Sequence, residues 1–342
     1  MKAGAARFAA GYSDPRAAHL AGLNRILNSG LTFAELRSAS PMEEDAQRII
    51  DQAVVRVGLE RLVVAADILA AGLTYPLTDP LSVMEVQWEQ ISKQGGAQRT
   101  MTPSARGENH LADRRQKRIP VYLTTDDFSL GVRSLRASQR VGSPLDVSGI
   151  EDATRRVNEA IEDAALNGGP QADGYTSPGI LNGPNANAES LGVDWTGTNT
   201  IGTTGPAIIE DVLSMISTLQ ADKKFGPYNL YVGTKAGNLL QGDFKVNTSD
   251  TILDRIKRIE AGGRMINVRV ADQMPGAATG VQCAMVQMTS DVVDMITGQE
   301  PTVVPWMSPD GFTLYWLVMA IMVPRVRDDY DGNSGIVVGT KA

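Results

Sequence analysis

The chain has 342 residues and a formal net charge of −7, with 42% hydrophobic and 21% charged residues, which is typical of a folded protein and not of a disordered one. No apolar run approaches the roughly eighteen residues that a membrane-spanning helix needs, and the N-terminus lacks the apolar core of a signal peptide. The single cysteine, Cys283, excludes an intrachain disulfide framework and a cysteine metal cluster, so we expect a cytoplasmic origin.

Charge is unevenly distributed along the chain. Residues 1–40 sum to +3 and residues 93–118 to +5, which leaves −15 for the remainder. Two basic segments with little hydrophobic periodicity, attached to an acidic body, predict arms that lie on an acidic surface. That surface is either another copy of the chain or a nucleic acid, and the alternative is that the segments are solvated loops. The residues expected to make these contacts are Arg7, Arg16, Arg25 and Arg37, followed by Lys93, Arg99, Arg106, Arg114, Arg115, Lys117 and Arg118.

The N-terminal third predicts an arm, a helix and a long hairpin. Residues 1–42 lack a sustained period and form the arm, and residues 43–80 contain a helix that starts after Pro41 and ends at Gly72. Strands at 81–88 and 119–123 flank a basic tip within a hairpin that spans residues 81–125. A hairpin of this length is not stable alone in water, so we expect it to lie on another surface.

A short helix and then a long one are predicted in residues 126–169. Thr125 or Asp126 is placed to cap a short helix that ends near Gln139, with Phe128, Val132 and Leu135 on one side.

The long helix runs from Ser148 to Asn167, with a Ser148–Glu151 capping box at its start and two glycines after its end. Its apolar stripe is narrow, which predicts packing on one sheet with the charged faces in solvent. The stripe consists of Ile150, Ala153, Val157, Ile161 and Ala164.

A compact α/β unit is predicted in residues 170–290, after a loop-rich start. One helix extends from Gly205 to Lys223, and a strand at 228–232 precedes helices at 234–240 and 252–260. Strands at 265–270 and 281–288 complete a βαβ-like order. The C-terminal part predicts strands at 292–296, 302–306, 312–323 and 336–338.

No catalytic, cofactor or metal site is predicted. His19 and His110 fall in the arm and the hairpin tip, and no nucleophile-elbow, phosphate-loop or zinc-protease pattern occurs. The carboxylate clusters at 126–127 and 328–331 lack the spacing of a calcium loop, so we assign them to capping and turns.

Three segments carry a family resemblance. IPVYLTTDDFSLGVRSLRA (119–137), EDAALNG followed by GILNG (162–168 and 179–183), and GPYNLYVGTKAGNLL (226–240) resemble the encapsulin and linocin branch of the tailed-phage major capsid fold, the Hong Kong 97 fold. The second segment departs from that pattern by one extra residue before its last glycine. The resemblance implies an α+β architecture with an N-terminal arm (1–42), an arm and peripheral-domain helix (43–80), an extended-loop hairpin (81–125), a peripheral domain with a spine helix (126–169), an axial domain (170–290) and peripheral-domain return strands (291–342).

The implied function is that of a structural major capsid protein and not of an enzyme. It would assemble into pentamers and hexamers of an icosahedral shell around the double-stranded DNA of a tailed bacteriophage, in the host bacterial cytoplasm, and would reside in the virion. Its partners would be itself, scaffolding and portal proteins, packaged DNA through non-specific contact and a decoration protein, with no membrane and no cofactor. The spine-helix residues Arg155, Glu159 and Glu162 would face the lumen.

Two other functions stay open. An encapsulin-type compartment that encloses a cargo enzyme is the main alternative, although the longer arm and hairpin tip favour the phage capsid. A metabolic α/β enzyme is disfavoured because the sequence contains no reactive constellation.

Overall fold

The computed structural model describes residues 62–92, 101, 111–133, 148–169, 176–245, 250–261, 264–265, 267–274 and 280–341. The helices in these ranges are α1 (Val64–Ala70), α2 (Ser148–Asn167), α3 (Thr204–Ala221), α4 (Thr234–Leu240) and α5 (Ile252–Lys257). The strands are β1 (Thr74–Pro76), β2 (Glu85–Ile91), β3 (Arg114–Pro120), β4 (Thr124–Gly131), β5 (Asn187–Ser190), β6 (Tyr228–Val232), β7 (Glu260–Ala261), β8 (Arg264–Met265), β9 (Asn267–Val270), β10 (Val281–Gln287), β11 (Val293–Met307), β12 (Thr313–Val326) and β13 (Ile336–Thr340).

A four-stranded sheet forms the central layer of one half of the molecule. Its order is β1-β11-β12-β4, with β1 parallel to β11 and the other neighbours antiparallel. Successive side chains of a strand point to opposite faces. Trp316, Val318 and Ala320 of β12 therefore enter the main core, whereas Leu317 and Val323 lie in clusters on the other face. Strand β12 is thus buried on both faces.

Helix α2 packs across β12 and β4. Every residue of its predicted apolar stripe is buried, from Ile150 to Ala164. Gly149 lets the Phe128 ring approach the helix, since a Cβ at this position would lie 2.1 Å from Cε2 of Phe128. Gly168, with φ +94°, adopts the left-handed conformation that ends the helix. Both predicted ends of this helix are confirmed.

The second half is built on a five-stranded sheet of order β5-β13-β10-β6-β9. β6 and β9 are parallel and are connected through α4 and α5, so the predicted βαβ order is confirmed. Helix α3 buries Ile208, Val212 and Leu219, as its spacing predicts. Helix α5 starts at a capping box in which Thr251 and Asp254 exchange hydrogen bonds.

The prediction of a short helix that begins at Thr125 or Asp126 is wrong. Residues 124–131 form β4, which pairs antiparallel with β12, Trp316 standing opposite Phe128. The two rings stack with centroids 5.5 Å apart, and Asp126 accepts a 2.7 Å hydrogen bond from Arg156 instead of capping a helix. The alternation from Thr124 to Leu130 fits a strand with one face on the core, and pairing with a long partner strand overrides the local capping signal.

The expected division of the C-terminal strands also needs one correction. β11 and β12 lie in the four-stranded sheet, but β13 pairs with β10 and β5 in the five-stranded one. The end of the chain therefore completes the α/β unit and does not return to the sheet under α2. Of the predicted 42–72 helix, the structure describes residues 62–72. The helix there is α1, which begins at Val64 after the N-cap residue Val63, so residues 62 and 63 are not helical, and it ends before Gly72 at φ +71°.

Candidate assembly surfaces

The β2–β3 hairpin lies on the face of the four-stranded sheet opposite α2. Its strands pair antiparallel over Glu85–Ile91 and Arg114–Pro120, several residues nearer the basic tip than the sequence predicts. Val86 and Ile119 pack on Ile296 and Val323 of the sheet, so a small apolar cluster holds the root of the hairpin. The predicted long hairpin is confirmed in its two strands, and it lies on a surface of its own chain at this end.

Asp328 is a polar anchor for the inner face of the hairpin. Nε2 of Gln90 donates to the main-chain oxygen of Asp328 at 2.8 Å and to its Oδ1 at 2.6 Å. Oδ2 accepts from Nδ2 of Asn185 at 2.8 Å and lies 4.0 Å from Nζ of Lys117. Arg115 stacks on the ring of Tyr330, 5.1 Å from its centroid. The 328–331 carboxylate cluster, predicted to form a turn, thus also anchors the hairpin.

A buried ion cluster lies beside this anchor. Arg325, 2% exposed, donates to both carboxylate oxygens of Asp294 at 2.8 and 2.6 Å, and Arg327 donates to Oδ2 at 2.6 Å. The guanidinium of Arg325 also lies 4.8 Å from the ring centroid of Tyr75 and 5.4 Å from that of Trp88. A bidentate pair of this kind has well-defined geometry, so it fixes how the hairpin, β1 and the sheet meet.

The outer face of the hairpin carries opposite charges on its two strands. Arg114 pairs with Glu89 at 3.0 Å, and Arg118 lies 3.9 Å from Glu85. The described basic residues of this segment, Arg114, Arg115, Lys117 and Arg118, all contact groups of their own chain. Lys93, Arg99 and Arg106 of the tip lie outside the described residues, as do the arm residues Arg7, Arg16, Arg25 and Arg37.

An apolar tip projects where β11 turns into β12. Trp306 and Tyr315 stack there with ring centroids 5.4 Å apart, while Phe312 is 74% and Met307 41% exposed. Backbone hydrogen bonds between Ser308 and residues 311 and 313 hold the turn. Exposed aromatic and sulfur-containing side chains on an ordered turn are typical of contact surfaces.

The prediction that Glu162 lies on an accessible face of α2 is wrong. Arg155 and Glu159 are half-buried, but Glu162 is only 1% exposed and follows Thr154 and Asn158, both fully buried, at four-residue spacing. The buried surface of α2 is thus wider than the apolar stripe and includes a polar row beside it. Four-residue spacing next to the stripe is the signal in the sequence that would have indicated this row.

Neither a metal-binding cluster nor a membrane-spanning helix occurs within the described residues. Across the ranges given above, no group of three His, Cys, Asp or Glu side chains is arranged to hold a metal ion. Within the same part of the chain, none of the helices has the length and apolarity needed to cross a bilayer.

Comparison with known proteins identifies the fold. A family model described as a family of unknown function (DUF6260) matches residues 75–339, whereas no curated protein sequence matches the chain. The capsid of Myoviridae phage XM1 aligns with a TM-score of 0.62 at 12% identity, covering 83% of this chain and 97% of that one. The virus-like particle from Pyrococcus furiosus aligns with a TM-score of 0.58 at 15% identity, covering 85% and 98%.

A third structure, the capsid of an empty GTA particle, aligns with a TM-score of 0.53 at 13% identity over 83% of this chain and 93% of that one. Each alignment spans nearly the whole of the compared subunit. The predicted Hong Kong 97-like α+β fold is therefore confirmed.

Proposed function

The chain belongs to the family of unknown function DUF6260, and from its fold we propose that it is a structural major capsid protein. It assembles into pentamers and hexamers of an icosahedral shell around the double-stranded DNA of a tailed bacteriophage. The observation that carries this proposal is the alignment with the XM1 capsid, which covers 97% of that subunit and includes 83% of this chain. The subunit is assembled in the host cytoplasm and resides in the virion, and it performs no catalysis.

The same proposal assigns a role to each segment of the chain. Residues 1–42 are the arm, 43–80 its helix, 81–125 the extended loop, 126–169 the peripheral domain with its spine helix, 170–290 the axial domain and 291–342 the return strands. β13 is the exception in the last segment, because it lies in the five-stranded sheet together with strands from residues 170–290.

The hairpin tip and the arm are proposed as contacts between subunits. The root of the hairpin is anchored on its own chain by Val86, Ile119 and Gln90. The described inner-face contacts involve residues 86–90 and 115–119. The tip residues Lys93, Arg99 and Arg106 lie outside the described residues, and we propose that they contact a neighbour. The net charge of +5 over residues 93–118 complements the −15 of the remaining body outside residue 40. Such complementarity sets the register between neighbours more than it adds affinity.

Many weak contacts of this kind suffice in a closed shell. Symmetry repeats each contact around every subunit, so small individual free energies add to a stable particle. Arg155 and Glu159 of the spine helix face the lumen, where packaged DNA makes non-specific contacts. Scaffolding, portal and decoration proteins are the other partners in this proposal.

The alternative is an encapsulin-type compartment that encloses a cargo enzyme. It is favoured by the resemblance of residues 119–137 and 226–240 to that branch.

Electron microscopy of purified particles tests the proposal. A large shell with hexamers, a portal vertex or DNA supports the capsid, and a small uniform shell that holds protein supports the compartment. A chain that stays monomeric or dimeric under assembly conditions contradicts both.

Charge reversal in the hairpin tip tests the contact surface. The triple variant Lys93→Glu, Arg99→Glu, Arg106→Glu is expected to yield free subunits in place of shells, because like charges would then meet across the interface. The matched control, Lys93→Arg with Arg99→Lys and Arg106→Lys, keeps every charge and is expected to assemble. Normal shells from the charge-reversed variant would show that the tip does not contact an acidic neighbour.

A further inference from the structure

The two outer edges of the five-stranded sheet are separate surfaces of the α/β unit. Strands β5 and β9 are the first and last of the sheet, so within the described residues each pairs with a neighbour on one side only. Four strand spacings separate them, a distance of about 19 Å. Helix α3 packs on β5, β13 and α5, whereas α4 and α5 pack on β9. Each edge thus consists of a short strand and the helices that pack on it.

The edge formed by β5 and α3 is acidic. Residues 176–222 contain five acidic residues and no Lys, Arg or His. Glu189 of β5 accepts a 2.6 Å hydrogen bond from the hydroxyl of Ser214 on α3. Glu210 precedes Ser214 by four residues, so it lies one turn earlier on the same side of the helix, and it is exposed. Lys341 is a cation beside this edge, where it donates to two backbone oxygens of the loop after β5. Its single charge leaves the edge negative.

The edge formed by β9 with α4 and α5 is basic. Residues 223–272 contain nine basic and five acidic residues. Among the side chains of this segment whose exposure the structure describes, Asp243 and Asp272 are the exposed acidic ones. The exposed basic ones are Lys223, Lys235, Lys245, Arg255, Lys257, Arg258 and Arg269. Positive charge therefore exceeds negative charge on this surface, although Asp250 pairs with Arg258 at 3.0 Å.

Lys257 lies on the outer side of this basic edge. On the same helix, Arg255 lies over the ring of Phe244, 4.9 Å from its centroid. That ring contacts Gly205 at the start of α3, since a Cβ at Gly205 would lie 2.7 Å from Cδ2 of Phe244. Residues two apart in an α-helix are about 200° apart around the axis. The exposed Lys257 therefore lies on the side of α5 away from α3.

Opposite charges on opposite edges favour head-to-tail association. A copy that places its basic edge on the acidic edge of a second copy leaves its own acidic edge free for a third, and repetition of this contact closes a ring. A two-fold contact instead brings like edges together, where like charges repel. Within residues 176–290, the positions outside the described residues are 246–249, 262–263, 266 and 275–279, and all of them are uncharged. The charge of both edges is therefore that of described residues.

We propose that the acidic edge of one subunit, formed by β5 and α3, binds the basic edge of the next subunit, formed by β9, α4 and α5. The occupant of each edge is thus a second copy of this chain. The inference rests on the proposed capsid function, because it names the surfaces through which the subunits of one pentamer or hexamer meet. Both edge strands have only four residues. Short edge strands offer little backbone for pairing with a further strand, so charged side chains set the register of this contact.

Charge reversal on each edge tests the proposal. Glu189→Lys with Glu210→Lys reverses the acidic edge, and Lys235→Glu with Lys257→Glu reverses exposed positions on the two helices of the basic edge. Each double variant is expected to need at least about tenfold more protein than the wild type to form shells, because like charges then meet at every contact of the ring. The matched control, Glu210→Asp with Lys257→Arg, keeps every charge and is expected to assemble normally. Sedimentation velocity and electron microscopy measure assembly.

Restored complementarity distinguishes a contact between subunits from a defect within one subunit. The quadruple variant, with both edges reversed, is expected to form complete shells near the wild-type concentration. An equimolar mixture of the two double variants has complementary contacts only where the two alternate. It is expected to form six-membered rings with three copies of each variant, which native mass spectrometry identifies, and no five-membered rings.

The possible outcomes separate this contact from the capsid function. Wild-type shells together with normal assembly of both double variants would overturn the edge contact and leave the capsid function standing. A wild-type chain that forms no shells would contradict both. Loss of assembly in the acidic-edge variant alone would show that a basic arm or hairpin tip occupies that edge, and would overturn the proposal. So would failure of both the quadruple variant and the mixture, because the reversals would then act within the subunit.

Discussion

Asp294→Ala is expected to destabilise the folded chain by about 3–5 kcal/mol, the typical effect of removing one partner of a buried ion pair. The Asp294 carboxylate accepts two hydrogen bonds from Arg325 and one from Arg327, all between 2.6 and 2.8 Å. Arg325 is 2% exposed, so water does not replace the lost acceptor. The lost pairing with Arg327 contributes less to this destabilisation, because the Arg327 side chain is 25% exposed and its charge is partly solvated.

Denaturant unfolding followed by tryptophan fluorescence measures this change, with sedimentation confirming that the compared proteins share one assembly state. Asp152→Ala is the matched control. It removes a carboxylate from an exposed pair with Arg155, whose side chains are 65% and 41% exposed, and is expected to alter stability by less than about 1 kcal/mol. An Asp294→Ala protein that unfolds within about 1 kcal/mol of the wild type would refute the reasoning from burial.

A double variant separates the contribution of the ion pair to stability from the destabilising effect of leaving one charge unpaired. Asp294→Leu combined with Arg325→Met replaces both partners by apolar groups, which is often close to neutral. We expect it to recover most of the stability that Asp294→Ala loses. A double variant as unstable as the single one would show that the shape of the pair, and not its charge balance, maintains the fold here.

Three further results are expected. Asp328→Ala removes the carboxylate acceptor of Gln90. A hydrogen bond to a charged group contributes about 1.5–3 kcal/mol, so without it the hairpin should detach more often, and trypsin should cleave within residues 114–118 about tenfold faster or more. Gly179→Ala places a Cβ 2.3 Å from the backbone nitrogen of Gly168 and should lower the free energy of unfolding by at least about 1–3 kcal/mol. Burial raises the pKa of the Cys283 thiol, so Cys283 should react with a thiol reagent only after unfolding.

Each of these results has its own control and its own contradicting outcome. Glu89→Ala on the outer face of the hairpin breaks only an exposed pair with Arg114 and should leave cleavage nearly unchanged; equal rates for both variants would contradict the anchor. At Gly233 the nearest atom to an added Cβ would be 4.0 Å away, so Gly233→Ala should leave the free energy of unfolding nearly unchanged. Equal free energies of unfolding for Gly179→Ala and Gly233→Ala would contradict the prediction. Rapid stoichiometric labelling of the native protein would contradict the burial of Cys283.

Local pattern predicted the elements whose own residues indicate both their ends and their buried positions. The long helix from Ser148 to Asn167 has the ends that its capping box and the following glycines indicate, and the helix from Thr234 to Leu240 lies where the sequence predicts it. Strand β6 is a short apolar run between breakers, and the structure buries it as such. In these segments the propensity of the residues and the requirement of the fold agree, so the sequence is sufficient.

The candidate surfaces were only partly predictable. The hairpin follows from the two predicted strands, although its basic second strand, Arg114–Pro120, was expected to begin only at residue 119. The attachment of the hairpin to Asp328 and Tyr330 joins residues more than two hundred positions apart. Nothing in the local spacing of Gln90 or Arg115 indicates these partners. Such contacts depend on how two sheets and a helix pack in three dimensions.

The sequence by itself determined the α+β class, the order of hairpin, long helix and α/β unit, and the resemblance to capsid proteins. Tertiary structure alone decided that residues 124–131 are a strand, that β13 closes the five-stranded sheet, and that Glu162 is buried. The reason is common to all three. Periodicity indicates which face of a segment is buried. Chain topology decides which neighbour buries that face and which hydrogen-bond donors the neighbour offers.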